Sequence, residues 1–325
     1  MSILDPYAEQ YLVPSYQNYP QGLYVSVVLM RRVESEAIFR TEGSGEPLSK
    51  EFVHGGLDGG EIVQRVVISK RKQTAVERRT GRELLRRHSL LFETKEGICA
   101  LNRNNPCGNC VDCMVYGYAA GGGGAQKSRV MTDDAFSLSP ASTVTDVKTF
   151  NALYDNSTMR DPETGKPSSS IGEDEYVKPE TIFIDIETMK DVTADELRFI
   201  LGNILRSSRY GAISSRIGKI KNQIVGVIFS DTELFSNLEL TQAVFDLLRG
   251  EADEPDYPAR EDVVQEAIKT AVATLMPRVV GRISILSDEE VDALVDELSM
   301  LYSDESRLGE LLTRVTNAYP QNANK

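Results

Sequence analysis

All four cysteines of this chain fall within fifteen of its 325 residues, and a loop that must bring them together has few ways to fold. Their spacing is C-x7-C-x2-C-x2-C, formed by Cys99, Cys107, Cys110 and Cys113. Four thiolates complete a tetrahedral zinc shell, and two-residue gaps let the chain place successive sulfurs about 3.8 Å apart. The spacing therefore predicts a closed structural zinc site that orders a loop with little hydrophobic core of its own.

Three other interpretations of these cysteines stay open. Iron–sulfur clusters also use C-x2-C-x2-C, although the fourth cysteine followed by proline that is usual there is missing. Disulfides form in oxidising compartments, whereas a cytoplasmic chain keeps its thiols reduced. A loop without any metal is the third interpretation.

The sequence predicts a cytoplasmic protein with no membrane partner. No run reaches the eighteen or so consecutive apolar residues that a membrane helix needs. The first six residues lack a basic stretch followed by an apolar one, so export is not indicated. Hydrophobic residues make up 41% of the chain, which is enough to bury one sizeable core or two modest ones.

The net charge of −13 argues against a nucleic-acid partner only until its distribution along the chain is considered. Residues 231–310 carry 20 acidic and 6 basic side chains, so almost all of the excess negative charge belongs to this region. Residues 61–88 and 206–221 are basic instead. Such segregation suits a protein that holds an anion on one face and keeps another face clear of it.

The first basic segment has the pattern of an anion-binding helix. If residues 75–87 are helical, Arg78, Arg82 and Arg86 form one stripe of guanidinium groups about 12 Å long, which can follow two or three phosphates. Gly81 within such a helix suggests that something packs or binds close by. The same positive surface includes Lys70, Arg71, Lys72 and Arg79. An ordinary solvated arginine face is the competing interpretation.

The second basic segment is rich in glycine and serine. Their backbone amides can approach phosphate oxygens, while arginines supply charge and Tyr210 can stack on a base. The residues predicted to contact nucleic acid here are Arg209, Tyr210, Gly211, Arg216 and Lys219. Neither basic segment matches G-x-x-x-x-G-K-[ST] or G-x-G-x-x-G, so a nucleotide cofactor is not indicated.

Apolar patterns and capping signals predict part of the secondary structure. Strands are expected where apolar residues form short runs or alternate, at 24–30, 62–68, 182–187 and 224–229. In the third of these, isoleucines alternate with Asp185 and Glu187, so one face is expected to be open to solvent or ligand. Capping boxes predict helix starts at Thr74, Thr193 and Ser287. In the acidic region helical spacing recurs over 264–275 and 291–301.

No catalytic constellation is evident in the sequence. The two histidines, His54 and His88, belong to no metal-binding or triad pattern, and the cysteines have the spacing of ligands rather than nucleophiles. Abundant carboxylates on amphipathic helices are what solubility requires. The residues therefore favour a binding protein over an enzyme.

Several segments, taken in their order along the chain, carry a resemblance to one known family. They are the first strand with Ala37–Arg40, the basic helix around Thr80–Arg86, Cys110–Gly117 leading to Val130–Ala135, Met159–Lys166, and Arg209–Gly218. The chain resembles the guide-RNA-binding backbone subunits of CRISPR effector complexes, members of the RAMP superfamily, and most closely that of the subtype I-D Cascade. The likeness covers most of residues 20–230 and does not extend into the acidic region.

This resemblance implies an α+β fold built on a modified RRM-like or ferredoxin-like βαββαβ core in residues 1–230. The cysteine-rich segment 97–131 is then a zinc-binding insertion, and residues 155–180 form a thumb hairpin that enters the guide–target duplex and displaces a base. The thumb residues are Met159, as the wedge, with Arg160 and Lys166. Residues 231–325 are expected to be an acidic, mainly helical C-terminal subdomain packed on the core.

The resemblance also implies a function without catalysis. Copies of the subunit would line one crRNA head to tail, hold its phosphates and present it for pairing with target DNA alongside other Cascade subunits, as part of antiviral defence. The phosphates would contact the region from Arg71 to Arg86 and the loop from Arg209 to Lys219. The acidic region would dock on the basic surface of a neighbour or repel stray nucleic acid.

Two alternatives to this function remain. Related type III subunits cut the bound target with an acidic residue after the first strand, where this chain offers Glu42 and Glu46, with Asp58 further on. The other alternative is a monomeric, zinc-stabilised RNA-binding protein that uses no guide.

Overall fold

The computed structural model describes residues 2–40, 48–101, 105–121, 124–151, 153–168, 170–211, 217–250 and 254–319. The strands are β1 (Tyr24–Val33), β2 (Lys50–Gly56), β3 (Gly59–Ile68), β4 (Glu93–Thr94), β5 (Gly97–Ile98), β6 (Tyr118–Ala120), β7 (Gly124–Gln126), β8 (Val130–Thr132), β9 (Ala135–Ser137), β10 (Thr145–Asn151), β11 (Ile171–Val177), β12 (Ile182–Lys190), β13 (Arg209–Tyr210), β14 (Gly218–Ser230) and β15 (Ile283–Ile285). The helices are α1 (Asp5–Tyr11), α2 (Lys70–Arg87), α3 (Val111–Tyr116), α4 (Ala141–Val144), α5 (Ala194–Arg206), α6 (Asn237–Leu248), α7 (Glu261–Leu275), α8 (Asp288–Ser303) and α9 (Glu305–Asn317), with a short 3-10 helix at Met276–Arg278.

An antiparallel sheet with the order β13-β14-β1-β12-β9-β3-β2 forms the centre of the fold. β15 also pairs with β14, and β8 pairs with β12. The central strand β1 pairs along its length with β12 and β14, so that Val27 lies opposite both Glu187 and Val227. The four strands expected from apolar runs are present as β1, β3, β12 and β14.

Helices cover both faces of this sheet, which explains why β1 is apolar almost throughout. Val27 and Leu29 point into a core shared with α2, α5, α8 and α9. Val28 and Met30 point into a second core, under α6 and α7. Successive side chains of a strand face opposite sides, so a central strand between two helical layers needs apolar residues at nearly every position.

The capping boxes predicted at Thr193 and Ser287 are confirmed, since each side chain accepts a hydrogen bond from the backbone of the glutamate three residues later. The same arrangement begins α6 at Ser236, which the sequence analysis missed. The start predicted at Thr74 is wrong. α2 begins at Lys70, and the Thr74 hydroxyl lies one turn inside it, donating to the Lys70 carbonyl at 3.0 Å.

Gly81 marks the place where α2 and α5 approach each other closely. A Cβ atom at this position would lie 2.5 Å from the side-chain nitrogen of Asn203 on α5. Asn203 in turn donates to the Tyr116 hydroxyl at 3.3 Å, at the end of α3. The expectation that this glycine allows close packing is confirmed, and the partner is another helix.

A hairpin of β10 and β11 forms a separate two-stranded sheet, with Thr145 paired to Val177 and Asn151 to Ile171. It covers the region where residues 155–180 were expected to form a hairpin, but its first strand begins earlier, at Thr145. Its base is attached to the core by a bridge between Ala37 and Val177, both buried. The far end consists of turns, and Leu153 there is 59% exposed.

The helices after residue 231 divide between the two faces of the sheet. α6 and α7 pack on one face, whereas α8 and α9 pack against α5 on the other. The helical spacing predicted over 264–275 and 291–301 is confirmed in α7 and α8. The acidic region thus packs on the core, as two helix pairs separated by the sheet rather than as one subdomain.

Among the helices that the structure describes, none is both long and apolar enough to cross a membrane.

Candidate nucleic-acid groove and metal centre

The four cysteines lie together, and their Sγ atoms are all within 4.8 Å of one another. Cys113 Sγ is 3.7 Å from that of Cys99 and 3.9 Å from that of Cys107. These separations are close to the roughly 3.8 Å expected for sulfurs around a tetrahedral ion bonded at about 2.3 Å. The cluster predicted from the spacing is therefore present and is able to hold a metal ion.

Backbone amides point at these sulfurs. Cys107 N lies 3.3 Å from Cys99 Sγ, while Asn109 N and Cys110 N lie 3.4 and 3.2 Å from Cys107 Sγ. Such N–H groups stabilise the thiolate form, which is the form that binds metal. An all-sulfur, largely buried ligand set fits a structural zinc ion, whose chemistry at this site would be to crosslink the loop.

The segment from Cys99 to Gly117 is called the cysteine loop below. Asp112, between two of the cysteines, connects this loop to the basic helix α2. Its carboxylate accepts from Arg78 Nε at 2.8 Å and from Arg82 Nη1 at 2.6 Å. Arg82 also lies 3.7 Å from Cys99 Sγ and donates to the Cys99 carbonyl at 2.5 Å. The continuous surface stripe expected from Arg78, Arg82 and Arg86 is therefore wrong, because Arg82 is only 6% exposed and contacts the cysteine loop instead.

A groove of about 1100 Å³ runs between α2 and the cysteine loop. Cations from α2 line one side, and among the described residues its lining includes a single acidic side chain, Glu83. These cations are Lys70, Arg71, Lys72, Arg78, Arg79, Arg82 and Arg86. The lining also includes residues near Cys99, Tyr116 and Val130, together with Gly211. The structure thus brings the first basic segment together with one residue of the second.

The remaining residues of the second basic segment lie elsewhere. Arg209 is exposed and donates to the Ile217 carbonyl at 3.3 Å, within the β13–β14 pair. Lys219 forms an ion pair with Glu34 at 2.8 Å. Arg216 lies outside the described residues.

Tyr210 does not present its ring to a base, because it is fully buried. Its hydroxyl lies 3.1 Å from Arg31 Nη1 and 3.2 Å from Glu77 Oε1. Asn222 also donates to this hydroxyl, at 2.9 Å. The stacking role expected for Tyr210 is wrong for this position, since the side chain belongs to a buried polar network.

Arg31 on β1 is the centre of that network. Its Nη2 atom lies 3.1 Å from Glu77, 2.7 Å from Asp185 and 2.5 Å from Glu187, and all four side chains are fully buried. The polar face expected on β12 is therefore covered by α2 rather than open to solvent or ligand. Arg31, directly after the apolar run 27–30 of β1, was the signal that could have indicated this, because a buried cation needs partners.

Burial raises the pKa of Glu187 well above its ordinary value of 4.5, and the nearby Glu77 carboxylate adds to the effect. Burial also raises the pKa of Glu77. One arginine cannot balance three carboxylates in a fully buried site, so the protonated form of a carboxyl group is favoured there.

Glu187→Gln is expected to change how stability depends on pH. The stability linked to protonated Glu187 is fully present below the unfolded-state pKa and is lost as pH rises through the raised folded-state pKa. Glutamine stays neutral, so the variant should gain about 1 kcal/mol or more relative to the parent between about pH 5 and pH 8. Urea unfolding at both pH values measures this. Glu180→Gln, at a 46% exposed side chain, is the control, and a pH-independent difference for Glu187→Gln would contradict the prediction.

An antiparallel sheet between helical layers, with a cationic groove beside a four-cysteine centre, defines an α+β protein suited to binding a polyanion. Comparison with known families then places it: the chain belongs to the Csc2 CRISPR family, whose model matches residues 11–312. The expectation of a CRISPR protein is thereby confirmed.

One solved structure supports the fold, and two others are matched more weakly. The chain is similar to the crystal structure of Thermofilum pendens Csc2, with a TM-score of 0.60 and 18% identity over 100% of both chains. A chain of a "CRISPR RNA-guided surveillance complex, pre-nicking" is matched with a TM-score of 0.48 and 10% identity, over 91% of this chain and 100% of that one. A chain of a "CRISPR RNA-guided surveillance complex" is matched with a TM-score of 0.43 and 12% identity, over 91% and 99%. No curated protein matches the sequence.

Proposed function

We propose that the protein is a repeated backbone subunit of a CRISPR RNA-guided surveillance complex of subtype I-D, and that it holds crRNA along the groove beside α2. The observation that carries this proposal is the groove itself. It is lined by cations from α2, and among the described residues its lining includes a single acidic side chain. Because the chain as a whole is acidic, it can bind phosphates only where positive charge is concentrated locally.

The order of the central strands supports an RRM-like core. In the sheet, β14, β1, β12 and β9 lie side by side in that order, and all neighbours are antiparallel. Along the chain, α2 lies between β1 and β9, and α5 lies between β12 and β14. This is the strand order of a βαββαβ unit in which the fourth strand lies beside the first. The cysteine loop and the β10–β11 hairpin are then insertions into that core.

Two cations on α2 are best placed to contact phosphates. Arg79 and Arg86 are exposed and line the groove, and neither has an acidic partner among the described residues. They are two helical turns apart, about 10 Å along the axis, so they would reach different phosphates. Lys70 and Arg71 extend the same side of the groove.

The β10–β11 hairpin is the proposed thumb, and its tip suggests a wedge other than Met159. Met159 is partly buried, and its carbonyl accepts from Ser168 N at 2.6 Å. Leu153 and Tyr154 are 59% and 37% exposed at the far end. An apolar or aromatic side chain on a projecting hairpin is what displacing a base of a guide–target DNA duplex requires. Arg160, which donates to the Gly165 carbonyl at 3.1 Å, and Lys166 would flank the wedge.

Zinc is the proposed structural ion, and no cleavage of the target is assigned to this subunit. Glu42 and Glu46 lie outside the described residues, and Asp58 is exposed in the turn between β2 and β3. Copies of the protein would associate head to tail on crRNA in the cytoplasm, together with other Cascade subunits, with acidic helices of one copy facing basic surface of the next.

Light scattering with single-stranded RNAs of increasing length tests this function. The expected mass rises by one protein copy for each fixed added length of RNA. The logarithm of affinity should fall with the logarithm of salt concentration, at about −0.7 per phosphate contact. A complex that stays one-to-one at every length would favour the monomeric RNA-binding protein, and absence of binding at low salt would reject both.

The doubly substituted variant Arg79→Gln/Arg86→Gln is expected to weaken RNA binding and to reduce the salt slope by about 1.4, because two phosphate contacts are lost. Fluorescence anisotropy at several salt concentrations measures both quantities. Arg278→Gln is the matched control, since that exposed arginine follows α7 on the other side of the sheet. Equal slopes for the double variant and the parent would place the RNA elsewhere on the protein.

A further inference from the structure

We infer that Arg78 and Arg82 are positioning residues that couple the metal centre to the RNA groove, so that metal retention and RNA affinity change together. The part of this inference that concerns RNA rests on the proposed function. The part that concerns the metal stands on the geometry of the cysteine loop alone.

The two arginines attach both ends of the cysteine loop to one face of α2. They are one helical turn apart and share the buried carboxylate of Asp112, which is flanked by the ligands Cys110 and Cys113. Arg82 also donates to the Cys99 carbonyl, where the loop begins. Arg78 donates to the Gly117 carbonyl at 2.6 Å, where the loop leaves α3. A shift of the loop therefore breaks hydrogen bonds to α2.

The charge of the site makes Arg82 favour the metal-loaded state. Zinc with four thiolates carries a formal charge of about −2, and a guanidinium 3.7 Å from Cys99 Sγ offsets part of it. Arg82 also holds the Asp112 carboxylate and the Cys99 carbonyl, so it keeps the loop in the arrangement that brings the four sulfurs together. Loss of Arg82 should thus weaken metal binding even though Arg82 is not a ligand.

The same contacts shape the groove. Cys99, Ala100, Leu101 and Tyr116 form the part of the groove wall that belongs to the cysteine loop. Gly117, the residue after Tyr116, has φ +77°, and a Cβ there would lie 2.5 Å from the Gln126 carbonyl oxygen, so the chain passes through a tightly packed point. If the metal leaves, the wall loses its crosslink, and RNA in the groove loses one of the two surfaces that confine it. By thermodynamic reciprocity, bound RNA should slow the loss of metal.

Two variants on the same helix, with the same change of charge, separate positioning from phosphate contact. Zinc-loaded Arg82→Gln and Arg86→Gln are each mixed with a chromophoric chelator without RNA, and the rate of zinc transfer is followed. We expect Arg82→Gln to lose zinc about tenfold faster than the parent or more, and Arg86→Gln to lose it at the parental rate. Arg86→Gln should instead weaken binding of a labelled single-stranded RNA.

Asp112→Asn provides a second measurement of the metal half, because it removes the shared carboxylate while both arginines remain; it should also accelerate zinc transfer. Circular dichroism before the assay shows whether each variant is folded. Equal transfer rates for the parent, Arg82→Gln and Asp112→Asn would overturn the metal half of the inference. If RNA binds the parent without slowing its zinc transfer, coupling is overturned while the proposed function stands. If RNA does not bind at all, the proposed function fails together with the RNA half.

Discussion

Replacing Cys113 by serine is expected to abolish metal binding and to disorder the cysteine loop. Cys113 is fully buried, and its sulfur lies within 4 Å of two of the other three cysteine sulfurs, so its loss removes one corner of the four-cysteine site. Structural zinc contributes up to about 10 kcal/mol in small zinc-dependent folds, which is comparable with the roughly 5–15 kcal/mol stability of a whole domain. Metal content by elemental analysis and thermal unfolding measure the two effects.

The control for this variant is the parent protein itself. Parent protein incubated with a strong chelator should reproduce the lower unfolding temperature of Cys113→Ser, and added Zn²⁺ should restore the parent but not the variant. Parent protein purified without chelator would contradict the zinc assignment if it contained less than a few tenths of an equivalent of zinc, and four titratable thiols with no iron would leave the loop without a metal.

Arg31→Met is expected to be the most destabilising change to the central sheet. It leaves Glu77, Asp185 and Glu187 buried around an apolar side chain, and removing one partner from a buried ionic network typically costs about 3–5 kcal/mol. The loss should be smaller at low pH, because the uncompensated carboxylates can then be protonated. Urea unfolding at about pH 5 and pH 8 measures both the cost and its pH dependence.

The neighbouring arginine gives a matched control. Arg32 is the next residue of β1, but its side chain is partly exposed and pairs with Glu180 and Glu261 at the surface. Arg32→Met should cost about 1 kcal/mol or less, as is usual for exposed ion pairs. A similar cost for the two variants would mean that the buried network does not depend on Arg31.

Much of the fold could be predicted because the signals for it are local. The apolar runs of β1, β3, β12 and β14 identified the strands, and Thr193 and Ser287 began the helices that they were expected to begin. The helix start was wrongly placed at Thr74 because a capping motif within a longer helix looks the same in sequence as one at its end. Two further facts would be needed to tell them apart: a non-helical backbone before the cap and an unpaired amide after it. Both are properties of the structure.

The site was predictable in its composition but not in its arrangement. The cysteine spacing correctly predicted the cluster, and the basic segment correctly predicted a cationic surface. The direction of each arginine was not predictable, since Arg78 and Arg82 meet Asp112 only after α3 has packed against α2, about thirty residues further along the chain. Tyr210 and Glu187 were misassigned for the same reason.

The sequence by itself determined which segments are strands and helices, where the cysteines gather and which segment is basic, because period, spacing and composition act over a few residues. Only the tertiary structure decided which charged side chains face the groove and which are buried. A long side chain takes the environment that the packing of distant elements creates around it. Arg86 therefore lies exposed in the groove, whereas Arg82, one turn earlier on the same helix, is buried against the cysteine loop.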